Sequence, residues 1–455
     1  MSDSEKPKKR QLIQPRTLKG FRDYLPETMI PREQLIQTAR EVYRSFGFGP
    51  IDTPTLEYLE ILTGKGSEET DRQLYKFQDH GGRDVGMRFD LTVPLARFVA
   101  QHINELGTPF KRYHIAPVWR GENTQRGRYR EFMQCDFDTI GTLSVAADIE
   151  TGLVINALLS AIGFERFTIH LNNRQVLNGL LQKEGLEEQA TPVLRSLDKL
   201  AKIGEDKVIQ EMMATAGTTE AQARNVLAMA ALEGTNEQIL TQLEPIIAGN
   251  DLGEQGVERL AKILSGMQAG GVPSKRIKLD VSIARGLDYY TGAIFETFLD
   301  DLPGIGSVCS GGRYDNLAEL YSKRQLPGIG ASLGLDRLLA AMEELNMLAK
   351  VKTPADVLVT YFDKGALEKY LEIAASLRAA GLKVEVFPEP KKLGQQLKYA
   401  DTRGFAYAVI AGEDELASNS LQVKDLTTGE STEYLIESAA MELSEVIKKQ
   451  LNLKG

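Results

Sequence analysis

Phe110 to Ile140 reads FKRYHIAPVWRGENTQRGRYREFMQCDFDTI. Two runs in it, RYHIAPVWR and FMQCDFDTI, are rich in aromatic and β-branched residues and flank a segment dense in Gly, Asn and Arg. Apolar runs bounded by turn residues predict strand, hairpin, strand. From 110 to 130 the segment carries Lys111, Arg112, Arg120, Arg126, Arg128 and Arg130 against a single acid, Glu122. On charge alone this is a solvated edge hairpin. The residue type also suits a second use, because the planar guanidinium fork binds phosphate oxygens two at a time. Gly121 and Gly127 would let the hairpin backbone come close to a ligand.

Outward from that hairpin the chain changes character several times. Upstream, Leu35, Ile36, Ala39, Val42, Tyr43 and Phe46 recur at three and four, so 31–46 is predicted as an amphipathic helix with Pro31 in its first turn and Gly47 as its stop. PIDTPTL (50–56) follows as a short strand, and 83–142 reads as strand-like and turn-rich throughout, GMRFD included. Residues 145–162 return to helical period. From about Asn173 to Gly271 the sequence is almost wholly helical, broken by Gly179, Gly204, Gly217, Gly234 and Gly249, and offers no chemistry; it reads as an insertion. Strand-like sequence resumes at Arg276 with RIKLDVSIARGLDYYTGAIFETFL. The turn SGGRYDNL and the glycine-rich GIGASLGLDRLLAAMEEL (328–345), ending in a helix, follow. After a linker at 350–354, strand and helix alternate through DVLVTYF, a helix at 367–379, KVEVFP, a helix around Gln395, FAYAVIAG and LQVKDL, which predicts a compact α/β domain with a mixed sheet.

Composition bounds the rest. The length of 455 residues predicts about three domains. An apolar share of 42% supports more than one buried core, and 26% charged residues is the balance of a soluble protein. No apolar run reaches the roughly 18 residues needed to span a bilayer, so no membrane partner is expected. The Lys-rich first ten residues lack the apolar core of a secretory signal. Two distant cysteines, Cys135 and Cys309, exclude a disulfide framework and point to a reducing, cytoplasmic setting. His80, His102, His114 and His170 show no ligand spacing, so no metal site is expected from His or Cys. With a net charge of −9, binding to a polyanion requires locally concentrated basic residues.

Two further stretches bear on chemistry. Ser282 to Gly292 (SIARGLDYYTG) is either a buried strand with packed tyrosines or a small polar pocket. The glycines of 328–334 either let a strand pack on a helix or open the way for Arg337 to face a phosphate. No G-x-x-x-x-G-K-[ST] run occurs, so the P-loop route to a nucleotide is absent.

Taken together and in order, these stretches resemble a known family. Arg120-Gly121-Glu122 within a strand–hairpin–strand resembles the second signature motif of class II aminoacyl-tRNA synthetases, LGLDR (333–337) the third, and 31–54 the first, which forms the dimer interface in that class. ARGLDYYTG (284–292) and SGGRYDNL (310–317) are more specific and resemble signatures of histidyl-tRNA synthetases. RFDLTVP (88–94) and GRYREFMQCDFD (127–138) match in a form more similar to eukaryotic and archaeal members than to many bacterial ones. The resemblance runs from about Thr17 to the C-terminus.

That resemblance implies an α+β catalytic core, an antiparallel sheet flanked by helices, built from 17–172 and 273–349. A polar tail (1–16) precedes it, a helical insertion (173–272) interrupts it, and a C-terminal α/β anticodon-binding domain (353–455) follows. It implies a histidine–tRNA ligase that uses ATP and Mg2+, acts on L-histidine and tRNA(His), and works as a homodimer. It places Arg120 on the α-phosphate, Glu122 on the adenine amino group, Arg128 and Arg337 near the outer phosphates, and Arg285 on the far side of the α-phosphate. Asp90, Thr92 and Gln134 would hold the amino end of histidine. Asp138 and Tyr290, with Tyr289 beside them, would read the imidazole. For Asp138 a plainer alternative is an ion pair with an arginine of the 120–130 hairpin. Two rival functions are a non-catalytic, synthetase-like histidine-sensing regulatory subunit and a pure RNA-binding module. The first would lack the anticodon domain and the arginines at 120, 285 and 337; the second would not need the pocket residues.

Overall fold

The computed structural model describes residues 12–63, 68–283, 289–348 and 352–452. They group into two compact units, one of 35–347 with 12–23, the other of 352–452 with 24–34.

The first unit is built on an eight-stranded sheet. Its strands are β1 (Gly49–Pro50), β2 (Phe110–Trp119), β3 (Glu131–Ile140), β4 (Phe167–Asn173), β5 (Ile277–Leu279), β6 (Ala293–Leu299), β7 (Cys309–Tyr314) and β8 (Gly328–Gly334), in the order β1-β2-β3-β8-β7-β6-β4-β5. The six central strands are antiparallel to their neighbours, and only the edge strands β1 and β5 pair in parallel. Ten-residue strands β2 and β3 form the predicted hairpin, paired from Phe110–Ile140 to Trp119–Glu131. Both strands are covered on both faces over much of their length: Arg112, Tyr113 and His114 on β2 and every residue from Gln134 to Ile140 on β3 are buried.

Helices frame the sheet: residues 35–45 of α1 (Pro26–Ser45), then α2 (Thr92–Leu106), α3 (Val145–Ile162), α4 (Arg174–Lys183), α5 (Asp251–Ala269) and α6 (Leu335–Glu344). Tyr43 of α1 is fully buried and donates its hydroxyl proton to the carbonyl of Cys135 at 2.8 Å. Helix α3 packs on β8 and α5, and α5 packs on α4 and β4. The α4 and α5 ends of the helical stretch 173–272 therefore belong to the wall of the core, while the shorter helices between 190 and 230 pack mainly on one another.

Several local expectations need correction. Helix α1 begins at Pro26, so Pro31 lies inside it and Pro26 takes the first-turn position. PIDTPTL is no strand: β1 ends at Pro50, and Leu56–Tyr58 joins Lys76–Gln78 and Asp84–Met87 in a separate three-stranded sheet. The region 83–142 is not strand-like throughout, because α2 interrupts it. Its buried Leu95, Ala96 and Val99 follow helical spacing, and Asp90 Oδ1 caps its first turn by accepting from the N–H groups of Thr92 and Val93 at 3.0 and 2.9 Å. An apolar stretch of spanning length does exist: α3 is 18 residues long and apolar enough by composition to cross a bilayer. Here it is a core helix, with Val154, Ile155, Leu158 and Leu159 fully buried.

The second unit holds a five-stranded sheet of Val384–Val386, Val357–Val359, Tyr407–Ile410, Ser420–Asp425 and Ser431–Leu435, in that spatial order. The first three are parallel and the last two antiparallel. Helices Leu367–Ala379, Leu393–Arg403 and Ile436–Asn452 accompany it. The strand 431–435 and the final helix extend beyond the alternation visible in the sequence.

Candidate active site

On one face of the large sheet lies a cleft of about 480 Å³. Among its lining residues are Asp90, Thr92, Arg120, Arg128, Gln134, Asp138, Tyr289 and Tyr290, brought from four separate stretches of chain. The floor is made by β3 and β8. Gln134, Asp136 and Asp138 on β3 stand two residues apart, on one face, opposite Gly334, Ser332 and Gly330 on β8. Gly330 is where backbone must stay bare: a Cβ there would sit 2.2 Å from Asp138 Oδ1.

At the end nearest α2, the Arg120 Nε donates to the carbonyl of Phe89 at 3.0 Å, and its guanidinium lies over the rings of Phe89 and Phe132 at 4.3 and 5.1 Å. Burial lowers its pKa, and the nearby carboxylate of Asp90 works in the opposite direction. Burial likewise raises the pKa of Asp90. The hairpin tip closes through reciprocal backbone bonds between Gln125 and Arg128, at 3.1 and 2.9 Å. Gly127 turns there at φ 70°, close against Cα of Arg337, where a Cβ would meet it at 3.3 Å. Arg337, on the first turn of α6, donates to the carbonyl of Ser307. Its pKa is lowered first by burial and then by the charge of Arg128. A guanidinium whose charged form is weakened by a neighbouring one is relieved by an anion bound beside it.

Beside Asp90, Tyr289 bonds Thr92, and Tyr289, Tyr290 and Tyr314 pack edge to face with centroids 5.4 and 5.8 Å apart. Burial drives the Tyr290 phenol above its ordinary range, so it stays protonated. Asp138 is 4% exposed and already engaged: its Oδ2 lies 2.6 Å from Nη2 of the fully buried Arg112, and its Oδ1 accepts from the Tyr314 hydroxyl. Its ion-pair partner is thus Arg112 of β2, not an arginine of 120–130. Glu122 and Arg337 are not among the cleft-lining residues, although the backbone carbonyl of Glu122 accepts from Arg130 Nε at 3.2 Å. Arg285 lies outside the described residues.

The segment carrying the two tyrosines is pinned by SGGRYDNL. Thr291 donates its N–H to the carbonyl of Arg313 at 2.7 Å and its hydroxyl proton to Asp315 at 2.7 Å. Arg313 in turn bonds Asp148 of α3 at 2.9 and 3.2 Å. Sequence reading overlooked Asp136, Ser332, Tyr314 and Glu296, which also line the cleft. Asp136 had a usable signal, since it alternates with Gln134 and Asp138 along one strand.

The central antiparallel sheet, its flanking helices and a separate mixed-sheet unit define a class II aminoacyl-tRNA synthetase fold. The family profile described as histidyl-tRNA synthetase matches residues 20–338, and one described as anticodon binding domain matches 356–450. A histidine–tRNA ligase of Rhodopirellula baltica is 68% identical over 420 residues, 92% of this chain and 95% of that protein. One of Wolinella succinogenes is 47% identical over 438 residues, 96% of this chain and 99% of that protein. The crystal structure of histidyl-tRNA synthetase from Nostoc sp. PCC 7120 superposes with a TM-score of 0.87 at 35% identity, covering 96% of this chain and all of that one. This chain belongs to the histidyl-tRNA synthetase family. The motif form reminiscent of eukaryotic and archaeal members thus occurs in a chain with close bacterial relatives.

Proposed function

We propose that the cleft is where this chain, a histidine–tRNA ligase, joins histidine to ATP before passing it to tRNA. One observation supports this placing: two cationic side chains suited to phosphate, Arg120 and Arg128, line the same cleft as the carboxylates Asp90, Asp136 and Asp138 and the phenols of Tyr289 and Tyr290. The histidine carboxylate attacks the α-phosphorus of ATP. A new P–O bond forms as the bond to pyrophosphate breaks, leaving histidyl-adenylate. The terminal ribose hydroxyl of tRNA(His) then attacks the adenylate carbonyl and AMP departs. Neither step needs a protein nucleophile, so the side chains position groups and stabilise charge.

In this reading Arg120 and Arg285 flank the α-phosphate, Arg128 and Arg337 take the outer phosphates, and Glu122 reads the adenine amino group. Asp90, Thr92 and Gln134 hold the α-ammonium. Asp90 suits it because it is the carboxylate with most influence on Arg120, so ammonium and reacting carboxylate would sit near the phosphate. Asp138, Tyr289 and Tyr290 form the ring end. Among the described residues no three His, Cys, Asp or Glu side chains converge as a metal cage; we assign Mg2+ to the phosphates of ATP, where it would neutralise charge on the leaving pyrophosphate. A homodimer is proposed from the likeness of 31–54 to the dimer-forming motif of the class, and a cytoplasmic location from the absence of a disulfide framework.

The regulatory-subunit alternative is not favoured, because the arginines at 120, 285 and 337 are all present and an anticodon binding domain follows. The test is exchange of labelled pyrophosphate into ATP, run with each of the twenty amino acids. Exchange with histidine alone is expected; none with histidine, or equal exchange with several, would remove the assignment.

A further inference from the structure

Ahead of the first helix, residues 18–23 run beside the hairpin that carries Arg120 and Arg128. The Gly20 carbonyl accepts from the N–H of Arg130 at 2.9 Å. Gly20 has φ 87° and packs so closely that a Cβ would sit 2.6 Å from Cγ of Arg130. Two residues on, Arg22 makes a junction. Its guanidinium lies over the Tyr129 ring at 3.9 Å, and Nη1 donates to the Tyr129 hydroxyl at 2.9 Å. Its Nη2 lies 2.8 Å from Oδ1 of Asp336, a carboxylate 2% exposed. The other oxygen of Asp336 accepts from the Met133 N–H at 2.8 Å. The pairing of β8 with β3 ends at Gly334 and Gln134, so Asp336 takes up the next strand N–H where the chain turns into α6. A carboxylate this deeply buried needs a cation beside it, and Arg22 supplies one.

The junction ties together the two places from which Arg128 and Arg337 project. Tyr129 follows Arg128 on the return side of the hairpin, and Asp336 precedes Arg337 on the first turn of α6. At the tip, Gly127 already rests on Cα of Arg337, and Arg337 feels the charge of Arg128. The guanidinium of Arg120 is fixed separately, by the carbonyl and ring of Phe89. We propose that Arg22 is a positioning residue for the outer phosphates of ATP: through Asp336 and Tyr129 it sets the spacing between Arg128 and Arg337. The inference rests on the ligase reading above, which gives those two arginines to the outer phosphates. A pair of guanidiniums grips a phosphate well only at one separation, because each fork must meet its oxygens in plane.

Arg22→Gln in the full-length protein tests this. Calorimetric titration with ATP and Mg2+ should show binding weakened about tenfold, the scale of one hydrogen bond to a charged group. AMP, which lacks the outer phosphates, should bind within about twofold of wild type. In pyrophosphate exchange the ATP KM should rise by a similar factor and the histidine KM should stay unchanged. A purely structural Arg22 would lower the melting temperature and leave this contrast flat. ATP binding within about twofold of wild type, or equal losses for ATP and AMP, would therefore overturn the proposal. If the glutamine variant fails to fold, Arg22→Lys decides: it keeps the charge beside Asp336 but loses the fork that also reaches Tyr129, and the same selective loss is expected in smaller measure. The effects of Arg22→Gln and Asp336→Asn on ATP affinity should be non-additive, since both break one junction; additive losses would overturn the shared path. So would Arg337→Ala binding ATP as wild type does, because the arginine to be positioned would then do nothing. Wild-type protein that binds ATP without histidine-dependent exchange would defeat the ligase reading itself, a distinct result.

Discussion

Replacing Arg313 by methionine should destabilise the catalytic unit and, through it, loosen the histidine pocket. Arg313 is 2% exposed and its partner Asp148 is fully buried. The guanidinium makes two bonds to Asp148, one to the Thr142 carbonyl at 3.0 Å and one to Asp315 at 3.1 Å. Methionine fills much of the volume but leaves Asp148 with only Arg259 as a cationic partner. Breaking a buried pair from one side costs ~3–5 kcal/mol; the surviving Arg259 contact sets the expectation at the lower end, ~3 kcal/mol. The Asp315 contact is more exposed and adds under ~1 kcal/mol. At ~2 °C per kcal/mol for a large domain, the apparent melting midpoint should fall by ~6 °C. The assay is thermal melting followed by near-UV circular dichroism, with Asp148→Asn and the double variant completing a cycle. The two substitutions should be strongly non-additive, because they remove one interaction. Because Asp315 also holds Thr291, the histidine KM should rise while the ATP KM stays near wild type. A midpoint shift under ~1 °C, or additive effects in the cycle, would refute the view of Arg313 as the pin between β7 and α3.

Other expectations are quicker to state. Arg285→Ala should lower exchange by ~10²–10³ with an unchanged melting curve, the typical cost of one transition-state contact; wild-type exchange rates would remove Arg285 from the mechanism. A chain ended after residue 348 should retain histidine-dependent exchange and lose most tRNA charging, so undiminished kcat/KM for tRNA would take the anticodon role from the C-terminal unit. The carboxyl of Asp136 sits near 7 when folded, against about 3.9 when unfolded. Its contribution to stability is therefore full below about pH 4 and lost as pH rises through 7. Between pH 5 and 8 the ligand-free wild type should lose melting temperature relative to Asp136→Asn; parallel curves would contradict this.

Much of the architecture was legible because its signals are local. The β2–β3 hairpin announces itself by apolar runs around a Gly-, Asn- and Arg-rich tip, and the C-terminal alternation by repeated Val-rich strands. Helix α2 was missed because it lies between runs that read as strand, GMRFD before it and RYHIAPVWR after it. A helix tolerates a proline such as Pro94 in its first turn, and Asp90 supplies the cap. The strand Ser431–Leu435 was hidden for the opposite reason: it is almost wholly exposed, so no apolar alternation marks it. In the site, residue types suggested where chemistry lies but not how carboxylates pair. That Asp138 would be claimed by Arg112 depends on the β2–β3 register, and that Arg313 would meet Asp148 depends on contacts across 165 residues. Asp136 could have been found from strand period alone, which puts it on the same face as Gln134 and Asp138.

The central claim is that this one cleft activates histidine for transfer to RNA, and charging tests it most directly. Purified full-length protein is incubated with ATP, Mg2+, labelled histidine and tRNA(His), and the label esterified to the tRNA is counted. The account predicts ATP-dependent attachment of histidine to tRNA(His), with AMP and pyrophosphate released in equal amounts, and none to other tRNAs. Tight histidine binding without pyrophosphate exchange or charging would contradict it and would instead describe a histidine sensor.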